Sequence, residues 1–125
     1  MPRLLVIDDD IVHSGRILPW LIEAGYEVDS AVNGRHGLRL LYEKRFSLLI
    51  TEIVMPEKDG LETISEIRKR GVSMPIIAMS GGGKIGPSYY LEMARTFGAD
   101  RMLQKPMHAE MLLPVVHELV GKDAQ

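Results

Sequence analysis

Five short apolar runs recur along the chain, at residues 4–7, around Val28, and at 48–50, 76–79 and 102–103. Each is too short to make a helix, and most stop at an acid, a glycine or a proline, so each reads as a strand. The segments between them carry a helical period instead. Ile17, Leu18 and Leu21 precede Gly25; Leu38, Leu41 and Tyr42 form a second stripe; Leu61, Ile64 and Ile67 run up to Gly71. Tyr90, Met93, Ala94 and Phe97 repeat at i, i+3, i+4, i+7 before Gly98, and Met111, Leu112, Val115, Val116 and Leu119 lead to Gly121. A glycine just past an apolar stripe is a common helix stop. Pro19 and Pro114 fall inside the first and last helices, where each removes a hydrogen bond. The stripes continue across both, which predicts kinked rather than broken helices. Five strand–helix units in strict alternation predict an α/β fold, a doubly wound parallel sheet with helices on both faces.

Composition narrows what such a sheet can do. At 125 residues the chain suits one domain, expected over residues 1–121 with a frayed tail at 122–125. It contains no cysteine, which excludes a disulfide scaffold, a zinc finger and a thiol nucleophile. A net charge of −2 with dispersed Lys and Arg lacks the basic footprint of a nucleic-acid binder. The first apolar run ends at once in three aspartates, so it does not read as a signal peptide, and no run approaches the length of a membrane span. The expectation is a cytoplasmic domain that binds neither membrane nor nucleic acid.

In open parallel sheets, ligands gather outside the carboxyl ends of the strands. Asp8, Asp9 and Asp10 follow the first strand, Glu52 ends the third, Ser80 the fourth, and Lys105 follows the fifth. A single Asp there would read as a helix cap. Four strand ends carrying complementary groups read as a site. Clustered carboxylates tolerate closeness best around a cation, and oxygen donors without His or Cys partners point to Mg²⁺. A hard cation beside an amine and a hydroxyl is a receptacle for a phosphoryl group.

The residues at these positions form a known pattern: Leu5-Val6-Ile7-Asp8-Asp9-Asp10, then Leu48 through Glu52 to Gly60, then Ile76 to Ser80, Gly98-Ala99-Asp100 and Lys105-Pro106. Along almost its whole length the chain resembles the receiver domain of two-component response regulators. The resemblance implies a five-stranded sheet in the order 2-1-3-4-5, as in the chemotaxis regulator of that family. It implies Mg²⁺ held by Asp8, Asp9, Glu52 and the backbone carbonyl of Val54, with Glu52 at the phosphoacceptor position. Lys105 and Ser80 would contact the phosphoryl group, and Lys105-Pro106 would be a cis peptide. The implied partners are a histidine kinase or phosphotransfer protein and a downstream effector. Signalling would run through the face built by the fourth helix, fifth strand and fifth helix, which could also form a homodimer. Because the motifs run from Leu4 to the last helix, the expectation is a single-domain receiver that acts by contact and is not an enzyme.

Three features depart from that pattern. The acceptor position normally holds Asp, and Glu52 is longer by about 1.5 Å, a misplacement that can cost roughly a hundredfold in a positioned reaction. The longer arm is expected to reach toward Lys105 and Ser80. The alternative function is therefore a phosphorylation-impaired or locked pseudo-receiver, with one carboxylate partly mimicking a phosphoryl group. Met102 stands where the family carries an aromatic switch residue, and it has neither ring nor hydroxyl to move. The loop from Ser80 to Pro87 is about three residues longer than usual in the family and contains Gly81, Gly83 and Gly86 in a G-x-G-x-x-G spacing. Without an acid at the right distance it reads as a lid or partner surface.

A remoter alternative is a haloacid-dehalogenase-type phosphatase, because Asp8, Asp10 and Val12 fit a D-x-D-x-V start. The later acids Glu110, Glu118 and Asp123 fall on or beyond the last helix, and the chain is short for that fold. His13, His36, His108 and His117 show no metal-ligand spacing and read as solvated or packed. Lys44-Arg45 and Arg68-Lys69-Arg70 read as solvated helix-end charges, and Trp20 as a core or helix-interface residue.

Overall fold

A computed structural model describes residues 1–55, 58–81 and 87–123, without the side chains of Pro87, Ser88, Lys122 and Asp123. The elements alternate as expected: β1 (Arg3–Ile7), α1 (Ile11–Glu23), β2 (Glu27–Ala31), α2 (Gly34–Glu43), β3 (Leu48–Glu52), α3 (Gly60–Lys69), β4 (Ile76–Ser80), α4 (Pro87–Phe97), β5 (Arg101–Gln104) and α5 (Ala109–Asp123). All neighbouring strands are parallel, in the order β2-β1-β3-β4-β5. Pro19 and Pro114 both sit inside continuous helices. The last helix runs through Asp123, past Gly121, and Ala124 and Gln125 lie outside the described residues.

The strand order explains which runs look most apolar. β3 and β4 are buried throughout and β1 nearly so, because they lie inside the sheet with helices on both faces. β2 and β5 form the edges and are only half-buried. Alternation along each strand divides the core in two. Leu5, Ile7, Leu49, Ile76 and Ala78 pack with Leu38 of α2, Ile64 and Ile67 of α3 and Ala94 of α4. On the other face, Leu4, Val6, Leu48, Ile50, Ile77 and Met79 pack with Ile17 and Leu21 of α1 and Leu112 and Val116 of α5. Right-handed crossovers require this split. The chain steps left from β1 to β2, then right through β3, β4 and β5, so α1 and α2 must lie on opposite faces. Trp20 packs half-buried at the α1–α5 side, as its position suggested.

Capping side chains start three helices. Asp10, Asn33 and Asp59 accept from the backbone N–H groups of His13, His36 and Glu62 at 3.0, 2.8 and 2.9 Å, each bond worth about 1 kcal/mol. Gly98 ends α4 at φ 121°, and its carbonyl accepts from Arg68 Nε at 3.0 Å. Arg68 also donates to Val72 O at 2.7 Å and to Asp100 Oδ2 at 3.0 Å. This corrects the expectation of a solvated charge: Arg68 clamps α3 to the α4–β5 turn. Gly60 is required by close approach, because a Cβ there would collide with the Glu52 carbonyl. The turn after β3 thereby folds tightly over the end of its own strand.

Candidate functional site

The two crossover directions diverge between β1 and β3, so the carboxyl ends of those strands border a crevice. Asp8 and Glu52 lie there, both buried. Backbone bonds fix the strand ends: Asp8 N donates to Ala31 O at 3.0 Å, Ile53 N to Met79 O at 3.0 Å, and Lys105 N to Ser80 O at 3.1 Å. The peptide Lys105–Pro106 is cis, as expected. Val54 follows Ile53 at the rim and is 38% exposed.

Lys105 bridges the two acids. Its Nζ lies 3.3 Å from Asp8 Oδ1 and 3.0 Å from Glu52 Oε2. The first contact is an aligned hydrogen bond; the second is an ion pair approached off the hydrogen-bonding direction, so Glu52 Oε2 has no aligned donor among the described residues. Glu52 thus reaches Lys105 as its extra methylene suggested, but it makes no hydrogen bond to Ser80. The Ser80 hydroxyl is fully buried and also unpartnered among the described residues.

Burial pushes the Glu52 carboxyl above its ordinary value, outweighing the nearby ammonium, with Asp8 and Asp9 adding to the rise. Burial alone would pull Lys105 down, yet Glu52 and Asp8 together hold it above the usual lysine range. Asp9 is raised by partial burial and by the Asp8 charge. Asp10 is lowered, chiefly by the N–H of His13 that it caps. Of the three consecutive aspartates, then, Asp10 is a helix cap, Asp8 a buried anchor and Asp9 an exposed acid.

The edge suits a hard cation in its donor chemistry. Its side-chain donors are carboxylate oxygens and a hydroxyl, and the buried Glu52 Oε2 and Ser80 hydroxyl make no aligned hydrogen bond among the described residues. Among the described residues no three His, Asp or Glu side chains are gathered into a ready-made cage. Positive charge between Asp8 and Glu52 is supplied by Lys105. A cleft of about 480 Å³ opens beside the edge, lined in part by Val12, His13, Arg16, Gly81, Lys105 and Pro106.

A model of the response regulator receiver domain matches residues 4–117. The chain belongs to that family. It is 32% identical over 122 residues to two-component system protein A of Emericella nidulans, covering 95% of this chain and 17% of that protein. It is 31% identical over 111 residues to the transcriptional regulatory protein DltR of Streptococcus agalactiae, covering 89% of this chain and 48% of the relative. The chain therefore spans about half or less of the length of these curated relatives. A CheY-like receiver domain from Methanospirillum hungatei superposes with a TM-score of 0.89 at 25% identity, covering 99% of this chain and 97% of that one. Receiver domains are signalling modules that generally bind Mg²⁺ in an acidic pocket, and they work with kinases or phosphotransfer proteins and effectors.

Asp8, Glu52 and Lys105 form one contact group; Ser80, on the adjoining strand end, stands apart from their bonds. Met102 is half-buried on β5 and borders a shallow groove with Leu91, Glu92, Arg95 and Thr96 of α4. Pro56, Glu57 and the loop residues Gly82 to Gly86 lie outside the described residues, and with them most of the G-x-G-x-x-G spacing. Glu118, a possible late acid of the phosphatase alternative, is paired with Arg101 at 2.9 Å on the flank of α5. No helix among the described residues is long and apolar enough to cross a membrane. His13 is packed, one of the two readings the sequence allowed, but its contact was not foreseen: Nδ1 lies 2.8 Å from Asp8 Oδ2. Its signal was present: His13, Ile17 and Leu21 share one helical stripe directly behind the acids.

Proposed function

We propose that this chain is the receiver of a cytoplasmic two-component relay, its domain spanning residues 1–121. It takes a phosphoryl group at Glu52 from a phosphohistidine on a kinase or phosphotransfer protein. The observation that carries the reading is the Lys105 ammonium seated between Asp8 and Glu52 at 3.3 and 3.0 Å.

In the transfer, a Glu52 oxygen forms a bond to phosphorus while the P–N bond breaks, and the departing imidazole takes up a proton. The product is an acyl phosphate on Glu52. Lys105 and the buried Ser80 hydroxyl would then bind the equatorial oxygens, where charge accumulates. Asp8, Asp9 and the Val54 carbonyl would hold Mg²⁺, which when bound neutralises phosphoryl charge. The cleft beside Lys105 gives the donor its approach. The added dianion biases the domain between two arrangements, read by an effector or a second copy through the α4–β5–α5 face. With Met102 on β5, that bias acts through methionine packing rather than through a turning aromatic ring.

The locked-module reading draws on the Glu52–Lys105 ion pair, but the matches to response regulators do not favour it. Titration with beryllofluoride and Mg²⁺, followed by amide chemical shifts, tests the relay. Shifts are expected at Ser80, Lys105 and α4, with tighter binding after Glu52→Asp. No response in either form overturns the proposal.

A further inference from the structure

His13 is the one fully buried histidine among the described residues, and the relay gives it no part. The residue is 6% exposed and lies one helical turn before Ile17 on the inner stripe of α1. Leucine or methionine would fill that position without carrying two ring nitrogens out of water, which costs free energy unless they are bonded. The ring nitrogens have different fates. Nδ1 lies 2.8 Å from Asp8 Oδ2, and the Asp8 side chain is itself wholly buried. An ionised carboxylate only accepts, so the proton in this bond belongs to Nδ1. Nε2 is buried with no partner among the described residues.

This bond divides the labour of the Asp8 oxygens. Oδ2 is turned inward and tied to α1. Oδ1 accepts the Asp10 N–H at 3.0 Å and faces Lys105 Nζ at 3.3 Å. The terminal torsion of an aspartate is broad and roughly two-fold, so one backbone bond fixes it poorly. A second bond, on the other oxygen and from the opposite side, fixes the carboxylate plane. His13 also donates its backbone N–H to Asp10 Oδ1 at 3.0 Å. One residue thereby anchors two of the three consecutive aspartates and leaves Asp9 at the surface.

We propose that His13 is a positioning residue for Asp8: its Nδ1–H holds Oδ2 so that Oδ1 stays directed at the edge where a divalent cation is taken up. The inference rests on the relay reading of that edge and adds a residue to it. It inverts the common arrangement in which a carboxylate steadies a metal-bound histidine; here the histidine steadies the carboxylate. Outer groups of this kind act on affinity by fixing the donor before the ion arrives.

The test is a Mg²⁺ titration of the whole chain, followed by amide chemical shifts, for the wild type, His13→Leu and His13→Asn. Leucine keeps the apolar packing and removes the donor. Asparagine is smaller but carries an amide N–H near the place of Nδ1. Mg²⁺ affinity is expected to fall roughly 10- to 100-fold in His13→Leu and to recover most of that loss in His13→Asn. Thermal melts of both variants separate this from packing, since a merely structural role ranks leucine above asparagine in stability and leaves Mg²⁺ affinity alone. Binding unchanged by His13→Leu, or asparagine no better than leucine, overturns this inference alone. A wild-type chain that binds no Mg²⁺ overturns the relay reading together with it.

Discussion

Two clusters of carboxylate and cation on this molecule use the same residue types and are pushed in opposite directions. On the α2–α3 surface, Glu66 receives Lys58 Nζ on Oε1 and the Tyr42 hydroxyl on Oε2, both at 2.6 Å. Arg70 stands 3.7 Å from the same carboxylate and lies 4.5 Å over the Tyr42 ring. These contacts, Lys58 first and Tyr42 next, hold Glu66 below the ordinary glutamate range. At the sheet edge, Glu52 also has a lysine at 3.0 Å, yet burial holds it above that range. The partner is the same in kind, so solvent access decides the sign. Glu66 is a settled structural anion. Glu52 carries its charge at a cost, which is the condition of a group poised for chemistry.

Removing the lysine from each cluster is the largest test of that contrast. Lys105→Met leaves Asp8 and Glu52 buried without their ammonium and is expected to cost about 3 kcal/mol near neutral pH, read by urea denaturation. Lys58→Met should cost under about 1 kcal/mol, because its pair is partly exposed and Tyr42 remains. Equal losses would erase the contrast. Glu52→Gln is expected to act with the opposite sign. A raised folded-state pKa means that Glu52 contributes fully below its ordinary value, near 4.5, and loses that contribution as pH rises through the folded value. The amide variant should therefore melt above the wild type near pH 7, with the gap closing on acidification. Melting below the wild type at pH 7 contradicts the reading. The smallest effect is expected from Glu66→Gln. Its lowered pKa gives stability that is present above the ordinary value and lost as pH falls through the folded one. That variant should lose under about 1 kcal/mol at neutral pH, and less in 1 M salt.

Much of this architecture was open to a reader of the residues. β1, β3 and β4 were visible because strands buried on both faces are apolar without interruption, and the converging acids and lysine followed from strand-end positions alone. What escaped depended on geometry across elements. Arg68 looked like a solvated helix end, but two of its three acceptors, Gly98 O and Asp100 Oδ2, reach it only once the α4–β5 turn is folded beside α3. Tyr42 sat in an apolar stripe and emerged 54% exposed, bonded to Glu66. His13 looked like one isolated histidine among four, because the partner that gives it a role comes from the end of the preceding strand. The resemblance supplied the strand order and the cis peptide. It could not supply His13, which belongs to none of the motifs that carry it.

The central claim is that Glu52, despite its extra methylene, receives a phosphoryl group at an edge organised by Lys105. Incubation of the wild type and Glu52→Asp with Mg²⁺ and acetyl phosphate, followed by peptide mass spectrometry, measures it directly. A phosphoryl adduct is expected on the peptide containing residue 52 in both forms, about a hundredfold more slowly in the wild type. An adduct in the Asp form alone, or at a residue other than Glu52 in the wild type, would contradict the claim.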